Sequence, residues 1–132
     1  MNALMTQQQV AGQQSIESLA ASNYEKVYAF FNAFLDDAAV CLDLADKAFR
    51  DAEECNLTTA CLFTKAVARL NSQPGLESPV WTSSYESNLA WLLKDIAGLR
   101  YSEIGAILEM SRTEVKERIA EVRYTVLGHL AA

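Results

Sequence analysis

Residues 89–123 read LAWLLKDIAGLRYSEIGAILEMSRTEVKERIAEVR, and the spacing of their apolar positions decides the fold. Leu89, Leu92, Leu93 and Ile96 recur at steps of three and four, which marks one face of a helix. Gly98 follows where a helix C-terminus favours a residue tolerant of positive φ. Ser102 is of the type that caps a short helix, here one with Ile104, Ile107 and Leu108 turned inward. Ser111-x-x-Glu114 has the form of a capping box and opens a last helix with Val115, Ile119, Val122, Val126 and Leu130 towards the core. Two such helices joined by about three residues make a helix-turn-helix.

Upstream, helical spacing persists. Ser22-x-x-Glu25 has capping-box form ahead of Tyr24, Val27, Tyr28, Phe31, Phe34 and Leu35. Asp36-Asp37 suits the start of a second helix, with Val40, Leu44, Ala48 and Phe49 on its inner side. A third helix, near Thr59 to Leu70, has Leu62, Phe63, Ala66, Val67 and Leu70 as its apolar face. No alternating strand pattern occurs, so the expected fold class is all-α.

The organisation expected is two small helical modules. Residues 1–21 are glutamine-rich with one charge, Glu17, and predict a flexible tail that turns helical near its end. The first module covers 22–72. NSQPGLESPVWTSSYESN, residues 71–88, holds both prolines, which places a linker over 73–83 with Val80, Trp81 and Tyr85 docking part of it. The second module covers 84–132, and Ser83-x-x-Glu86 reads as its capping box. Trp81 and Trp91 are of the packing kind, and His129 suits a helix C-terminus.

Net charge is −6, so the molecule as a whole repels polyanions. Cys41, Cys55 and Cys61 form no Cys-x-x-Cys pair and His129 is the single histidine, which disfavours a zinc site and predicts buried, reduced thiols. Neither a secretory signal nor a membrane-spanning apolar run is present, so a soluble, cytoplasmic chain is expected. The sequence lacks a phosphate-binding glycine loop, a nucleophile elbow and a paired-carboxylate motif; it predicts no enzyme, cofactor, metal or small-molecule substrate.

Residues 89–123 resemble region four of RNA polymerase sigma factors of the extracytoplasmic-function class. Leu92, Leu93, Asp95, Gly98, Leu99, Tyr101, Glu103 and Ile104 match its motif in place, and Ser111, Val115, Lys116, Arg118 and Arg123 continue it. Asp43-Leu44-Ala45-Asp46-Lys47-Ala48-Phe49 is similar, less closely, to region two, with Asp46 standing where the family has glutamine. Phe63 and Leu70 stand where that family carries the tryptophan and asparagine of promoter melting, and the basic, aromatic run that follows in the family is missing. The resemblance implies polymerase or partner binding through Asp43, Asp46, Phe49 and Arg50. It implies DNA contact through Arg112, Thr113, Lys116, Arg118 and Arg123.

On a helical wheel, Val115, Ile119, Val122 and Val126 define the inner side of the last helix. Thr113, Glu117, Ala120 and Tyr124 point nearly opposite, Arg112, Lys116 and Arg123 lie on one flank, and Glu114 and Glu121 on the other. The family commonly has threonine, serine and arginine at the positions of Glu114, Glu117 and Glu121. Segment 111–130 sets four cations against three anions, and residues 89–132 hold six of each sign. Each carboxylate opposes the phosphate backbone, although a glutamate can accept from cytosine N4. Pairing of Arg118 with Glu114 and Glu121 would turn the same residues into a solvated face.

Three functions follow as expectations. One is a sigma-like transcription factor that binds core RNA polymerase and, with weakened reading, promoter DNA. Another is a sigma mimic that engages an anti-sigma factor or other protein without reading DNA, favoured by the acidic balance. The third is a helical domain that self-associates through exposed apolar residues near Tyr24 to Phe34.

Overall fold

Ser15 Oγ accepts a hydrogen bond from the Ser18 amide at 3.1 Å and starts the first helix, α1 (Ile16–Asn32). The computed structural model describes residues 15–55, 57–74 and 84–131, with the side chains of 129–131 excepted. Five more helices follow: α2 (Ala38–Ala52), α3 (Thr59–Asn71), α4 (Tyr85–Asp95), α5 (Tyr101–Leu108) and α6 (Arg112–Ala131). Among the described residues there is no strand, and the fold is all-α.

Short polar residues begin most of these helices by satisfying amides that have no partner inside the helix. Asp37 Oδ1 accepts from the Ala39 and Val40 amides at 3.0 and 3.2 Å, and Thr58 Oγ1 accepts from Cys61 at 3.1 Å. Helices α1, α2 and α3 pack on one another, and α4, α5 and α6 do the same. Phe30 lies at the centre of the first group. Its ring meets Phe31, Phe34 and Phe63 edge-on, at centroid distances of 5.6, 5.8 and 5.8 Å. An Arg69 fork clamps α3 to α2, with Nε and Nη2 donating to Asp51 at 2.7 and 2.9 Å. That guanidinium holds the Asp51 carboxyl below the usual carboxylate range.

The two groups share one core, a single cluster of buried apolar side chains that runs from Leu19 to Ile119. Phe34 meets Tyr85 edge-on at 5.4 Å, and the Tyr85 hydroxyl donates to Asn71 Oδ1 at 2.5 Å. Burial pushes the Tyr85 phenol up to about 12, so it stays a neutral donor. Helix α3 also packs on α5.

Several expectations are corrected. The helical end expected for the tail is part of the first helix, which begins at Ile16 with Leu19 fully buried, so the first module starts before residue 22 and Ser22 lies inside the helix rather than at a capping box. Apolar contact of Leu19 outweighs the weak signal of a polar neighbourhood. The cap of α4 is Ser84, whose Oγ accepts from Ser87 at 3.1 Å, one residue beyond the box expected at Ser83. Arg100, not Ser102, is the N-cap of α5, and its amide is taken by Glu103 Oε1 at 2.8 Å. Phe30, Phe31 and Phe34 are buried, so the stretch from Tyr24 to Phe34 is largely interior and not an exposed apolar surface.

The cysteines are corrected as well. Cys55 and Cys61 are joined as a disulfide, and only Cys41 is a free, buried thiol among the described residues. The α2–α3 turn brings the end of one helix to the start of the next, and residue spacing gives no sign of that approach. Residues 1–14 of the expected tail, most of the 73–83 linker with Val80 and Trp81, and the side chains of His129 and Leu130 lie outside the described residues.

Candidate nucleic-acid interface

The turn between α5 and α6, the expected helix-turn-helix, rests on a close approach that Gly105 permits. A Cβ there would lie 2.6 Å from the Met110 carbonyl oxygen, inside any real contact. The turn closes as the Met110 amide donates to the Gly105 carbonyl at 2.9 Å, with Glu109 in the left-handed region at φ 57°. Before it, Gly98 at φ 72° ends α4. The Gly98 and Leu99 amides return to the carbonyls of Lys94 and Leu93, both at 3.1 Å.

Helix α6 then starts with a complete capping box. Glu114 donates its amide to Ser111 Oγ at 3.1 Å, and Ser111 donates its amide to Glu114 Oε1 at 3.2 Å. Val115, Ile119 and Val122 are buried against α4 and α5. Arg112, Thr113, Lys116, Glu117, Ala120, Arg123 and Tyr124 are exposed, and Arg118 is half-buried.

The charges on the two flanks of α6 have different neighbours. On the cationic flank, Lys116 Nζ sits 5.3 Å from the Tyr101 ring centroid, and Lys94 Nζ sits 4.6 Å from the same ring. Both ammonium groups are within cation–π reach of that ring. Arg123 Nη2 donates to Asp95 Oδ1 at 2.7 Å, and that bond raises the guanidinium pKa and directs the side chain to α4. On the acidic flank, Glu121 Oε1 accepts from Ser87 Oγ at 3.4 Å. Ser87 lies in the first turn of α4, where the positive end of the helix dipole favours a carboxylate.

Thus Glu114 is held at the N-terminus of its own helix, and Glu121 makes one long contact with the Ser87 hydroxyl. The expected pair of Arg118 with Glu114 does not form as an ion pair among the described residues. The reason is competition: the Ser111 amide is nearer to Glu114 along the chain than the Arg118 guanidinium.

In the first half, Asp43 pairs with Lys47 at 2.8 Å and Asp46 Oδ1 accepts from the Tyr24 hydroxyl at 3.2 Å. Phe49 is buried, stacked on Tyr24 at 5.7 Å between ring centroids, and so packs in the core rather than on the outer side of α2. Arg50 is exposed one residue further on. Asp43, Asp46 and Arg50 therefore share the outer side of α2 with Leu42, which is 46% exposed. Leu42 with Tyr24, Glu25 and Tyr28 lines a mainly apolar cleft of about 300 Å³.

Sequence reasoning missed Tyr101 as a platform for Lys94 and Lys116, and Asp95 as the partner of Arg123. It also missed the cleft of about 560 Å³ where Tyr101, Lys116, Arg123, Tyr124 and Leu127 meet. The one available signal was Leu127, an apolar residue outside the buried stripe. Among the described residues, no group of three or more His, Cys, Asp or Glu could hold a metal ion, and no helix is long and apolar enough to cross a membrane.

No protein-family model matches the chain, no curated protein sequence matches it, and no solved structure matches it.

Proposed function

We propose that the chain is a sigma-factor-like regulator of transcription initiation whose helix-turn-helix touches promoter DNA weakly. Arg112, Thr113, Lys116 and Arg118 supply the DNA contacts, and the outer side of α2, through Asp43, Asp46 and Arg50, meets core RNA polymerase. One observation carries this reading. The Glu114 carboxylate is engaged by the Ser111 amide at the N-terminus of α6, which leaves Arg112 and Lys116 beside Thr113 on the exposed side of α6. Binding stays weak because Glu117 lies in the middle of that side, Arg123 is engaged by Asp95, and the whole chain carries −6. The residue match described above supplies the sigma-like part of the proposal.

The test is binding to pooled duplex DNA across a salt series, with co-purification of core polymerase as a second measurement. Three cations at about 0.9 released counterions each give a log–log salt slope near −3 at most. Binding that ignores salt, or no binding at any salt, removes the DNA-reading part. Loss of polymerase recovery in Arg50→Glu supports the α2 surface; unchanged recovery removes it.

A second reading, a sigma mimic that binds an anti-sigma factor or other protein, is favoured by one observation. Tyr124 is 81% exposed and Leu127 64% exposed, next to Lys116 and Arg123. A phosphate backbone gains nothing from an exposed leucine, whereas a protein partner buries it. Leu127→Ser separates the readings, because it removes the apolar contact without adding charge: it abolishes capture of a protein partner, and it leaves salt-sensitive DNA binding nearly intact if DNA is the ligand.

A further inference from the structure

The α2–α3 turn carries chemistry that the proposed function does not use. Cys55 and Cys61 are joined there, with their Cα atoms 6.8 Å apart. Cys61 lies in the first turn of α3, and Lys65 follows it one turn later on the same helix. Cys55, Cys61, Thr64 and Lys65 line one wall of a cleft of about 510 Å³, and Glu103, Ala106 and Ile107 of α5 line the other. Both bridged cysteines are half-buried, so a small oxidant or a thiol reductant reaches them through the cleft. Cys41 is the contrast: it is fully buried, and burial pushes its thiol up, away from the reactive thiolate.

We propose that Cys55 and Cys61 are a reversible redox pair, with Cys61 attacking peroxide and Cys55 resolving it, whose bridged form stiffens the wall on which α5 of the helix-turn-helix rests. In the reduced pair, the N-terminus of α3 and the Lys65 ammonium favour a thiolate at Cys61. The Cys61 sulfur attacks one oxygen of hydrogen peroxide and the O–O bond breaks. The departing hydroxide takes a proton and leaves as water, and Cys61 becomes a sulfenic acid. Cys55, having released its proton, attacks the Cys61 sulfur. The S–S bond forms, the S–O bond breaks, and the hydroxide leaves with that proton as a second water. Two thiols have lost two electrons and two protons, and one peroxide has become two waters. A dithiol reductant reverses the step by attacking Cys55, because the more stable thiolate, Cys61, leaves faster.

The structural consequence lies in the short loop that the bridge closes, with a sequence separation of 6. Helix α3 packs on α5, so fixing the start of α3 reduces the freedom of the surface beneath the helix-turn-helix. The inference does not depend on whether α6 binds DNA.

The test uses the full chain, reduced with dithiothreitol, desalted, exposed to hydrogen peroxide, then unfolded and alkylated with iodoacetamide for intact mass. All three cysteines of the sequence take the label before peroxide, and Cys41 alone takes it afterwards. In Cys55→Ser, dimedone traps a sulfenic acid on Cys61. Lys65→Gln slows oxidation of Cys61 by roughly two- to tenfold at neutral pH. Amide hydrogen exchange over residues 103–107 is slower in the bridged form than in the reduced form. Three labels after peroxide, a dimedone adduct on Cys55 in Cys61→Ser formed as fast as that on Cys61, or disulfides between chains would overturn the pair. Equal exchange over 103–107 in both forms would overturn its coupling to the helix-turn-helix.

Discussion

Ser111 and Glu114 cap each other at the start of α6, each accepting the other's backbone amide, at 3.1 and 3.2 Å. A carboxylate that reads as hostile to DNA is therefore holding a helix end. Glu114→Ala is expected to cost about 1 kcal/mol of stability, measured by urea unfolding, because it exposes an amide with no partner inside the helix. Its DNA affinity is expected to change little. A gain as large as that from removing Glu117 would show that Glu114 faces the ligand instead.

Glu117 is exposed on the outward side of α6 and forms no ion pair among the described residues. Glu117→Lys is expected to tighten binding to pooled DNA and to steepen the salt slope by about one counterion. Asp95→Asn acts by another route, since it releases the Arg123 guanidinium from its 2.7 Å bond. It too steepens the slope by about one, at the cost of a contact between α4 and α6. A slope unchanged in both variants places the ligand elsewhere.

At Gly105 the sign of a substitution is set by backbone contact. Alanine ordinarily favours a helix interior over glycine, yet its Cβ would meet the Met110 carbonyl oxygen at 2.6 Å. Gly105→Ala is expected to destabilise by about 1–3 kcal/mol, as overpacked sites do. Gly98→Ala meets nothing within 4 Å, and its cost, about 1 kcal/mol, comes from φ 72° alone. Thermal melts rank the two, and a stabilised Gly105→Ala would contradict the close turn.

Acid sensitivity follows from Asp51 and Glu103. Arg69 holds the Asp51 carboxyl below its ordinary range, and the Arg100 amide does the same for Glu103. A depressed folded-state pKa gives stability that is present above the unfolded value, about 3.9 for Asp, and is lost as pH falls through the folded one. Stability is therefore expected to decline below about pH 4, and Asp51→Asn to flatten that decline. Urea midpoints between neutral and acid pH check it. Equal acid slopes for the variant and the parent chain would remove Asp51 from the account.

Phe30 touches three other rings and is fully buried. Phe30→Ala is expected to cost about 3–5 kcal/mol, through lost transfer energy and the cavity left behind. Because one core cluster joins both helical groups, the loss is expected to appear in α4 to α6 as well. Amide exchange in α6 that stays unchanged in this variant would show that the two groups open independently.

Much of this chain is legible from residue order because helices are local. Three- and four-residue apolar steps put Val115, Ile119 and Val122 in the core, Asp37 at a cap and Gly98 at a left-handed helix end, and the structure has each of them there. The last capping box was legible for the same reason, since Ser111 and Glu114 are three residues apart. What residue order left open are contacts between distant parts of the chain. Arg123 meets Asp95 across 28 positions, Glu121 reaches Ser87 across 34, and Tyr24 covers Asp46 and Phe49 from another helix. The Cys55–Cys61 bridge spans six positions but depends on how tightly a turn folds back. Periodicity alone thus determined which sides of the helices turn inward, because burial repeats with the helical turn. Only tertiary packing decided which outward charges have partners and which remain available, because a partner is set by distance in space.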